Sequence, residues 1–196
     1  MPFLLTYSYL NVMIYLYFLI QGINIVSTIF DQYKKYGIDE YYLKLGDKYS
    51  NPHEKYIISC LDLINFNKND DFLDLFCGDG LITSYLLNKK CHNITGCDKY
   101  MSDIYVKKCN KQCLNFSFED IAFDYNLFDK KFDTIIISYA FDLIPNELRS
   151  MIIFHLSLIC NDLILLRPNK HLIKENSFFK LHKMISIGKT NLTWYK

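Results

Sequence analysis

The chain has 196 residues, which is enough for one domain with a substantial hydrophobic core and leaves little for a second. Hydrophobic residues make up 51% of the chain and charged residues 22%, a composition that excludes an intrinsically disordered protein. The formal net charge of +1 excludes a strong overall attraction to nucleic acid or to anionic membranes.

Residues 1–30 contain no charged side chain, and their centre, residues 12–20, is strongly apolar. Three interpretations are open. The segment has the length and the tyrosines of a membrane anchor, in which case Lys34 and Lys35 place the rest of the chain in the cytoplasm. As a cleaved signal peptide it lacks a basic start and a clear small-residue cleavage site. It can also be an artefact of the assigned start, lying outside a working domain of residues 31–196.

Two helices are predicted next, with a turn between them. Residues 31–51 are rich in tyrosine and charge, and Asn51-Pro52 ends them because the residue before a proline is pushed out of the α region. Pro52 suits the first turn of a new helix, and residues 54–64 carry apolar side chains at helical spacing.

From residue 72 onward, short apolar runs alternate with helical patterns. The clearest strand contains the continuous run Thr134-Ile135-Ile136-Ile137, which indicates burial on both faces, as in a parallel sheet. The alternation predicts an α/β domain with a doubly wound, mainly parallel seven-stranded sheet and helices on both faces. The predicted strands are 72–76, 93–97, 114–118, 132–138, 163–166 and two within 180–196 around Gly188, and the predicted helices are 81–87, 100–113 and 145–160.

The seven cysteines are odd in number and form no CxxC pair, which predicts reduced thiols in a cytosolic compartment. Four of them, Cys91, Cys97, Cys109 and Cys113, lie close together in the sequence. Their spacing fits no standard zinc-ligand pattern, so no metal site is predicted, and a zinc site is kept as the alternative.

The first strand ends in Cys77-Gly78-Asp79-Gly80, directly before a helix. Glycines at this point let the backbone approach a ligand, and the helix N-terminus favours a negatively charged group. Dinucleotide-binding loops have a third small residue three positions after the second glycine, where this chain has Thr83. The loop therefore predicts a nucleotide-like ligand and disfavours NAD.

The run Asp74-Leu-Phe76-Cys77-Gly78-Asp-Gly80 resembles the first motif of class I S-adenosylmethionine-dependent methyltransferases, with Phe76 in place of the first of three usual glycines. The resemblance covers about residues 51–196 and implies a Rossmann-like methyltransferase fold with S-adenosylmethionine as the cofactor. Residues 132–145 resemble the fourth motif of this family, whose end faces the methyl group.

The resemblance also implies roles for individual residues. Asp74 would bind the ammonium of the donor, directly or through water, and Asp98 its ribose hydroxyls. Asp120 would accept from the adenine amino group, with Ile121 stacking nearby. The implied cofactor-binding residues are Asp74, Phe76, Cys77, Gly78, Gly80, Asp98, Lys99, Asp120, Ile121 and Ser138. A competing interpretation is that Asp98 and Asp120 cap helices.

An acceptor of high pKa needs a general base, and the candidates are Asp142, after the fourth strand, and His53. Residues 31–64 precede the core where class I enzymes often carry a helical lid. The turn at Asn51-Pro52 would place Tyr49 and His53 over the pocket; alternatively, these are packing side chains. The predicted catalytic residues are Asp142, His53 and Tyr49.

The methyl acceptor is not predicted beyond its class: a small molecule, a protein or RNA. A closed cavity lined by Tyr42, Tyr49 and His53 would indicate a small acceptor, and an open basic groove along Arg167, Lys170 and Lys183 would indicate RNA. The near-neutral charge favours a small molecule or a protein. Two other functions stay open, a non-catalytic scaffold domain of the same fold and an NAD-dependent reductase.

Overall fold

The computed structural model describes residues 53–124, 126–169 and 178–196. The apolar segment 1–30, the predicted helix 31–51 and the candidate residues Tyr42, Tyr49 and Lys170 lie outside these ranges. Within them, no helix combines the length and the apolar character that crossing a membrane requires.

Five α-helices and seven strands lie along the described residues; four of the helices correspond to predicted ones, and the helix Phe118–Phe123 was not predicted. The helices are α1 (Glu54–Leu61), α2 (Leu81–Asn88), α3 (Ser102–Cys109), α4 (Phe118–Phe123) and α5 (Asn146–Ile159). The strands are β1 (Phe72–Leu75), β2 (Ile94–Cys97), β3 (Cys113–Leu114), β4 (Phe132–Ser138), β5 (Cys160–Pro168), β6 (Leu181–Ile187) and β7 (Thr190–Tyr195). A short 3-10 helix, Phe141–Leu143, follows β4.

The strands form one sheet in the order β3-β2-β1-β4-β5-β7-β6. Strands β1 to β5 run parallel to one another, whereas β7 runs antiparallel to both of its neighbours, β5 and β6. The seven-stranded sheet is therefore mixed: its parallel part is as predicted, and an antiparallel C-terminal hairpin is inserted at one side. The order reverses at β1, whose neighbours are β2 and β4.

Both faces of the sheet are covered, which accounts for the continuous apolar run in β4. Ile135 and Ile137 pack with α4 and α5 on one face, whereas Ile136 packs with α1 and α2 on the other. All three isoleucine side chains are fully buried. The two clusters share β1 and β4, so these strands lie at the centre of the molecule and hold the loops at their ends in place.

The prediction for residues 114–118 was wrong. Strand β3 has only two residues, and Phe118 begins α4 instead of ending a strand. The cause is a capping box: the Ser117 hydroxyl accepts from the Asp120 N–H at 3.1 Å, and the Asp120 carboxylate accepts from the Ser117 N–H at 2.8 Å. The predicted helix 100–113 also ends early, because Asn110 adopts a left-handed conformation (φ 52°) that stops α3.

Candidate functional site

The candidate site lies at the carboxyl ends of β1, β2 and β4, which are adjacent in the sheet. Ligands of open α/β sheets bind at this edge, where the strand order reverses. Three loops meet here: the glycine loop (residues 76–80) after β1, the turn that begins with Asp98 after β2, and the segment from Tyr139 to Pro145 after β4.

Three of the five residues of the glycine loop have a positive φ: Phe76 (59°), Gly78 (53°) and Gly80 (87°). Phe76 thus adopts the conformation for which the resembled family uses glycine, at a cost of about 1–2 kcal/mol for a residue with a side chain. The N–H groups of Phe76 and Cys77 both donate to the Cys97 carbonyl at the end of β2, at 2.6 and 3.1 Å. The beginning of the loop is therefore fixed to β2.

The two glycines of the loop serve different purposes. A Cβ atom on Gly78 would have no heavy atom within 4 Å, so the backbone here faces open space. A Cβ atom on Gly80 would lie 2.3 Å from the Cys109 Sγ, because α3 packs directly against this end of the loop. Gly78 is therefore the position at which a ligand can approach the backbone, and Gly80 is required for packing.

Asp74 is buried within β1, with 1% of its surface exposed. One of its oxygens accepts from the N–H and from the hydroxyl of Thr83, at 3.1 and 2.8 Å, and so fixes the first turn of α2. The Thr83 hydroxyl also bonds to that of Tyr105, at 2.8 Å. Burial raises the pKa of Asp74 to about 7, although the bonds from Thr83 oppose the shift. Asp74 therefore holds the start of α2, which directly follows the glycine loop, in place.

The Asp98 carboxylate connects two loops. One oxygen accepts from the Gly78 N–H at 3.0 Å, and the other accepts from the N–H groups of Tyr100 and Met101, both at 2.9 Å. The structure thus brings Asp98 to the glycine loop, as expected for a shared site. It also gives Asp98 the capping role that competes with ribose binding, and the ribose contact stays a prediction.

Asp120 takes part in the capping box of α4, and the hydrogen bonds from Ser117 hold its pKa below the usual range, with a smaller contribution from Lys99. Lys99 itself is exposed. Ile121, by contrast, is 1% exposed and belongs to the core cluster that includes the buried side chains of α5. The adenine contacts assigned to Asp120 and Ile121 stay predictions.

The segment after β4 brings His53 into the site. Ser138 is half-buried at the end of the strand, and Tyr139, next to it, has a left-handed backbone (φ 59°). The Tyr139 ring stacks on the His53 imidazole, with centroids 4.6 Å apart and planes inclined by 23°. Its hydroxyl shares a 2.6 Å hydrogen bond with the Thr190 hydroxyl of β7. His53 thus lies beside the end of β4, and the lid over the pocket stays a prediction.

The other predicted base, Asp142, lies in a buried ion pair. Both of its carboxylate oxygens are bound by Arg167, through Nε at 3.1 Å and through Nη2. Arg167 is 5% exposed, so it does not contribute to the open basic groove considered for RNA. Arg149 donates to the backbone carbonyls of Asp142 and Ile144, at 3.0 and 2.9 Å. The structure therefore gives Asp142 a role in shaping the segment after β4.

Neither the role of Tyr105 nor the burial of Arg167 was predicted, although each left a signal in the sequence. Gly96 lies inside β2, and a Cβ atom there would be 2.5 Å from the Tyr105 ring; an isolated glycine in a strand indicates such a close approach. Arg167 directly follows the apolar run of β5, where a charge needs a buried partner. Tyr139 left no signal, because nothing in the sequence marks a tyrosine for positive φ.

Among the described residues, no group of three or more histidine, cysteine or acidic side chains is arranged to hold a metal ion. All seven cysteines are free thiols.

No protein-family model and no curated protein sequence matches the chain. Solved structures do match. Magnesium protoporphyrin IX methyltransferase from Synechocystis, with bound SAM, superposes with a TM-score of 0.61 at 17% identity, covering 88% of this chain and 99% of that one. A TehB-like SAM-dependent methyltransferase from Corynebacterium glutamicum gives a TM-score of 0.60 at 12% identity, covering 85% and 98%. The chain therefore has the class I methyltransferase fold.

Proposed function

We propose that this protein transfers a methyl group from S-adenosylmethionine to a small-molecule, protein or RNA acceptor. The observation that carries the proposal is the glycine loop at the carboxyl end of β1, where Gly78 faces open space and its N–H meets the Asp98 carboxylate at 3.0 Å. The sheet resembles that of a Synechocystis methyltransferase solved with bound SAM, which supports the choice of cofactor.

S-adenosylmethionine would supply a methyl group already activated on a sulfonium, so the reaction needs orientation more than bond polarisation. Gly78 would allow the amino-acid end of the donor to lie against the backbone. Asp98 would accept from the ribose hydroxyls, and Asp120, beside Lys99, from the adenine amino group. Asp74 is too deeply buried for direct contact, and we assign it to holding α2 in place beneath the loop.

His53 is the general base that the geometry favours, because it stacks on Tyr139 directly after β4, whereas both oxygens of Asp142 are bound to Arg167. A base at this point removes the proton that an oxygen, nitrogen or sulfur acceptor loses on methylation. The near-neutral net charge and the burial of Arg167 favour a small-molecule or protein acceptor over RNA. The free thiols favour a reducing compartment such as the cytoplasm.

Calorimetric titration with S-adenosylmethionine, S-adenosylhomocysteine and NADH tests the cofactor. We expect both adenosyl compounds to bind and NADH not to bind. Asp98→Asn should weaken binding at least about tenfold, because the amide replaces one acceptor by a donor. Asp103→Asn, which changes an exposed acid of α3, is the matched control and should bind as the unchanged protein does.

Two results would contradict the proposed donor site. If neither adenosyl compound binds, or if Asp98→Asn binds as tightly as Asp103→Asn while both variants unfold at the same urea concentration, the proposed donor site is wrong. Binding of NADH would instead support a reductase.

A second candidate is a non-catalytic domain that keeps the fold and acts as a scaffold. The observation in its favour is that the acids of the site are bound by the protein itself: Asp74 by Thr83, Asp98 by backbone N–H groups and Asp142 by Arg167. Binding of S-adenosylmethionine without formation of S-adenosylhomocysteine, across small-molecule and protein acceptors, would favour this candidate.

A further inference from the structure

Two thiols lie close together at the glycine loop. Cys77 lies within the loop and Cys113 in β3, and their Sγ atoms are 3.8 Å apart. Cys77 is 8% exposed, whereas Cys113 is half-buried. We infer that Cys77 and Cys113 form a redox modification site, in which oxidation by a peroxide joins the two thiols in a disulfide and closes the donor-binding site.

The backbones that carry the two thiols are held to the same strand. On one side of β2, the Cys77 N–H donates to the Cys97 carbonyl. On its other side, β2 pairs with β3, in which Cys113 lies opposite Gly96. Two hydrogen bonds flank Cys113: the Gly96 N–H donates to the Gln112 carbonyl at 2.8 Å, and the Asp98 N–H donates to the Leu114 carbonyl at 3.0 Å. The hydrogen bonds that hold Cys77 and β3 to β2 therefore keep the two thiols close together.

The difference in exposure sets the order of the chemistry. The Cys113 thiol gives up its proton and its sulfur attacks one oxygen of a peroxide; the O–O bond breaks, a sulfenic acid forms, and the departing oxygen takes up that proton and leaves as water or an alcohol. The Cys77 sulfur then attacks the Cys113 sulfur, the S–S bond forms, and the hydroxyl leaves as water with the proton of Cys77. Cys77 is buried, and burial raises the pKa of its thiol, so this thiol is poorly suited to react with the peroxide first. Its Sγ lies 3.8 Å from that of Cys113, which places it for the second step once Cys113 has been oxidised. The peroxide is the oxidant, and the two thiols are oxidised.

Bond formation requires the two sulfur atoms to move toward each other. An S–S bond is about 2 Å long, so the sulfur atoms must approach each other by nearly half of their 3.8 Å separation. Cys77 precedes Gly78, whose N–H bonds to Asp98, so this approach displaces the backbone that the donor would use. The disulfide itself does not depend on the proposed function, whereas its effect on donor binding does.

Tryptic peptide mapping tests the bond, because cleavage separates the cysteines. Cys77 falls in peptide 69–89, Cys91 and Cys97 in 91–99, Cys109 in 109–111 and Cys113 in 112–130. After treatment with hydrogen peroxide we expect a crosslink between 69–89 and 112–130. Affinity for S-adenosylhomocysteine should fall at least about tenfold and return with dithiothreitol.

Cys113→Ser should keep the affinity of the reduced protein and lose the response to peroxide. Cys160→Ser, which removes a half-buried thiol in β5, should respond as the unchanged protein does. A crosslink of Cys77 to any other cysteine, no crosslink, or a crosslink that leaves affinity unchanged would overturn the inference. If the reduced protein does not bind S-adenosylhomocysteine, the proposed function and the effect on binding fail together, and the peptide map still decides whether the disulfide forms.

Discussion

At the scale of single residues, the glycine loop depends on two glycines with unequal surroundings. Both have positive φ, but only Gly80 is crowded, by the Cys109 thiol. Gly80→Ala should lower the free energy of unfolding by about 2–4 kcal/mol, through strain and displacement of α3. Gly78→Ala is the matched control and should lose only about 1–2 kcal/mol, the cost of the backbone conformation. Urea unfolding measures both, and equal losses would contradict the packing role of Gly80.

Asp74 gives a prediction about pH. Its pKa is raised from 3.8 to about 7 on folding, so the folded protein binds more protons than the unfolded chain between these values. The free energy of unfolding should therefore fall as the pH rises through this window. Asp74→Asn keeps an oxygen for Thr83 and does not titrate.

We expect Asp74→Asn to gain about 4 kcal/mol of stability relative to the unchanged protein on going from pH 4 to pH 8, at about 1.4 kcal/mol for each pH unit between 4 and 7. Urea unfolding at the two pH values measures the gain, and Asp103→Asn, at an exposed acid, is the control. A gain that is independent of pH would show that Asp74 does not titrate in this window.

At the scale of elements, the ends of β4 and β5 are joined by the ion pair of Asp142 and Arg167, whose side chains are 16% and 6% exposed. Asp142→Leu should cost about 3–5 kcal/mol because it leaves a buried guanidinium without its partner, and adding Arg167→Met should recover most of this loss. Asp79→Leu breaks the exposed pair with Lys108 and should cost less than about 1 kcal/mol. Urea unfolding of the unchanged protein and these three variants measures the losses, and an Asp142→Leu loss no larger than that of Asp79→Leu would contradict the role of the ion pair.

Elements with a strong local signal could be predicted from the sequence, and those decided by competing signals could not. Strand β4 was predicted at its observed bounds, 132–138, because its run of isoleucines is buried on both faces. For residues 114–118, the alternation of Leu114, Phe116 and Phe118 predicted a strand. A helix begins at Phe118 instead, because the capping box of Ser117 and Asp120 satisfies backbone N–H groups at the start of α4.

At the scale of the whole molecule, the number of strands could be predicted, but their order could not, because strand pairing depends on contacts that are distant in sequence. The same holds for the site. The positions of Asp98 and the glycine loop followed from the motif. The stack of His53 on Tyr139 could not be predicted, because it joins two residues that are far apart in the sequence. Nor could the sequence reveal that Arg167 binds Asp142, because both residue types are usually exposed.

The single tryptophan, Trp194, allows a test of cooperativity. It lies in β7, where its indole N–H donates to Asp162 of β5 at 2.9 Å. Because β7 lies between β5 and β6, we expect tryptophan fluorescence and far-ultraviolet circular dichroism to report the same urea midpoint. An earlier fluorescence transition would mean that the C-terminal hairpin unfolds separately. His182→Ala, which removes a ring packed against Trp194, controls for local quenching.

The position of β7 also matters while the protein is being synthesised. Although β7 is the last of the seven strands along the chain, it fills the gap between two earlier ones. Until residues 190–195 have left the ribosome, β5 has only β4 as a neighbour, and its other edge presents unpaired backbone groups beside buried leucines. The nascent chain therefore exposes an unpaired edge of β5 until residues 190–195 emerge, and a chaperone that shields exposed strands should engage it during that interval.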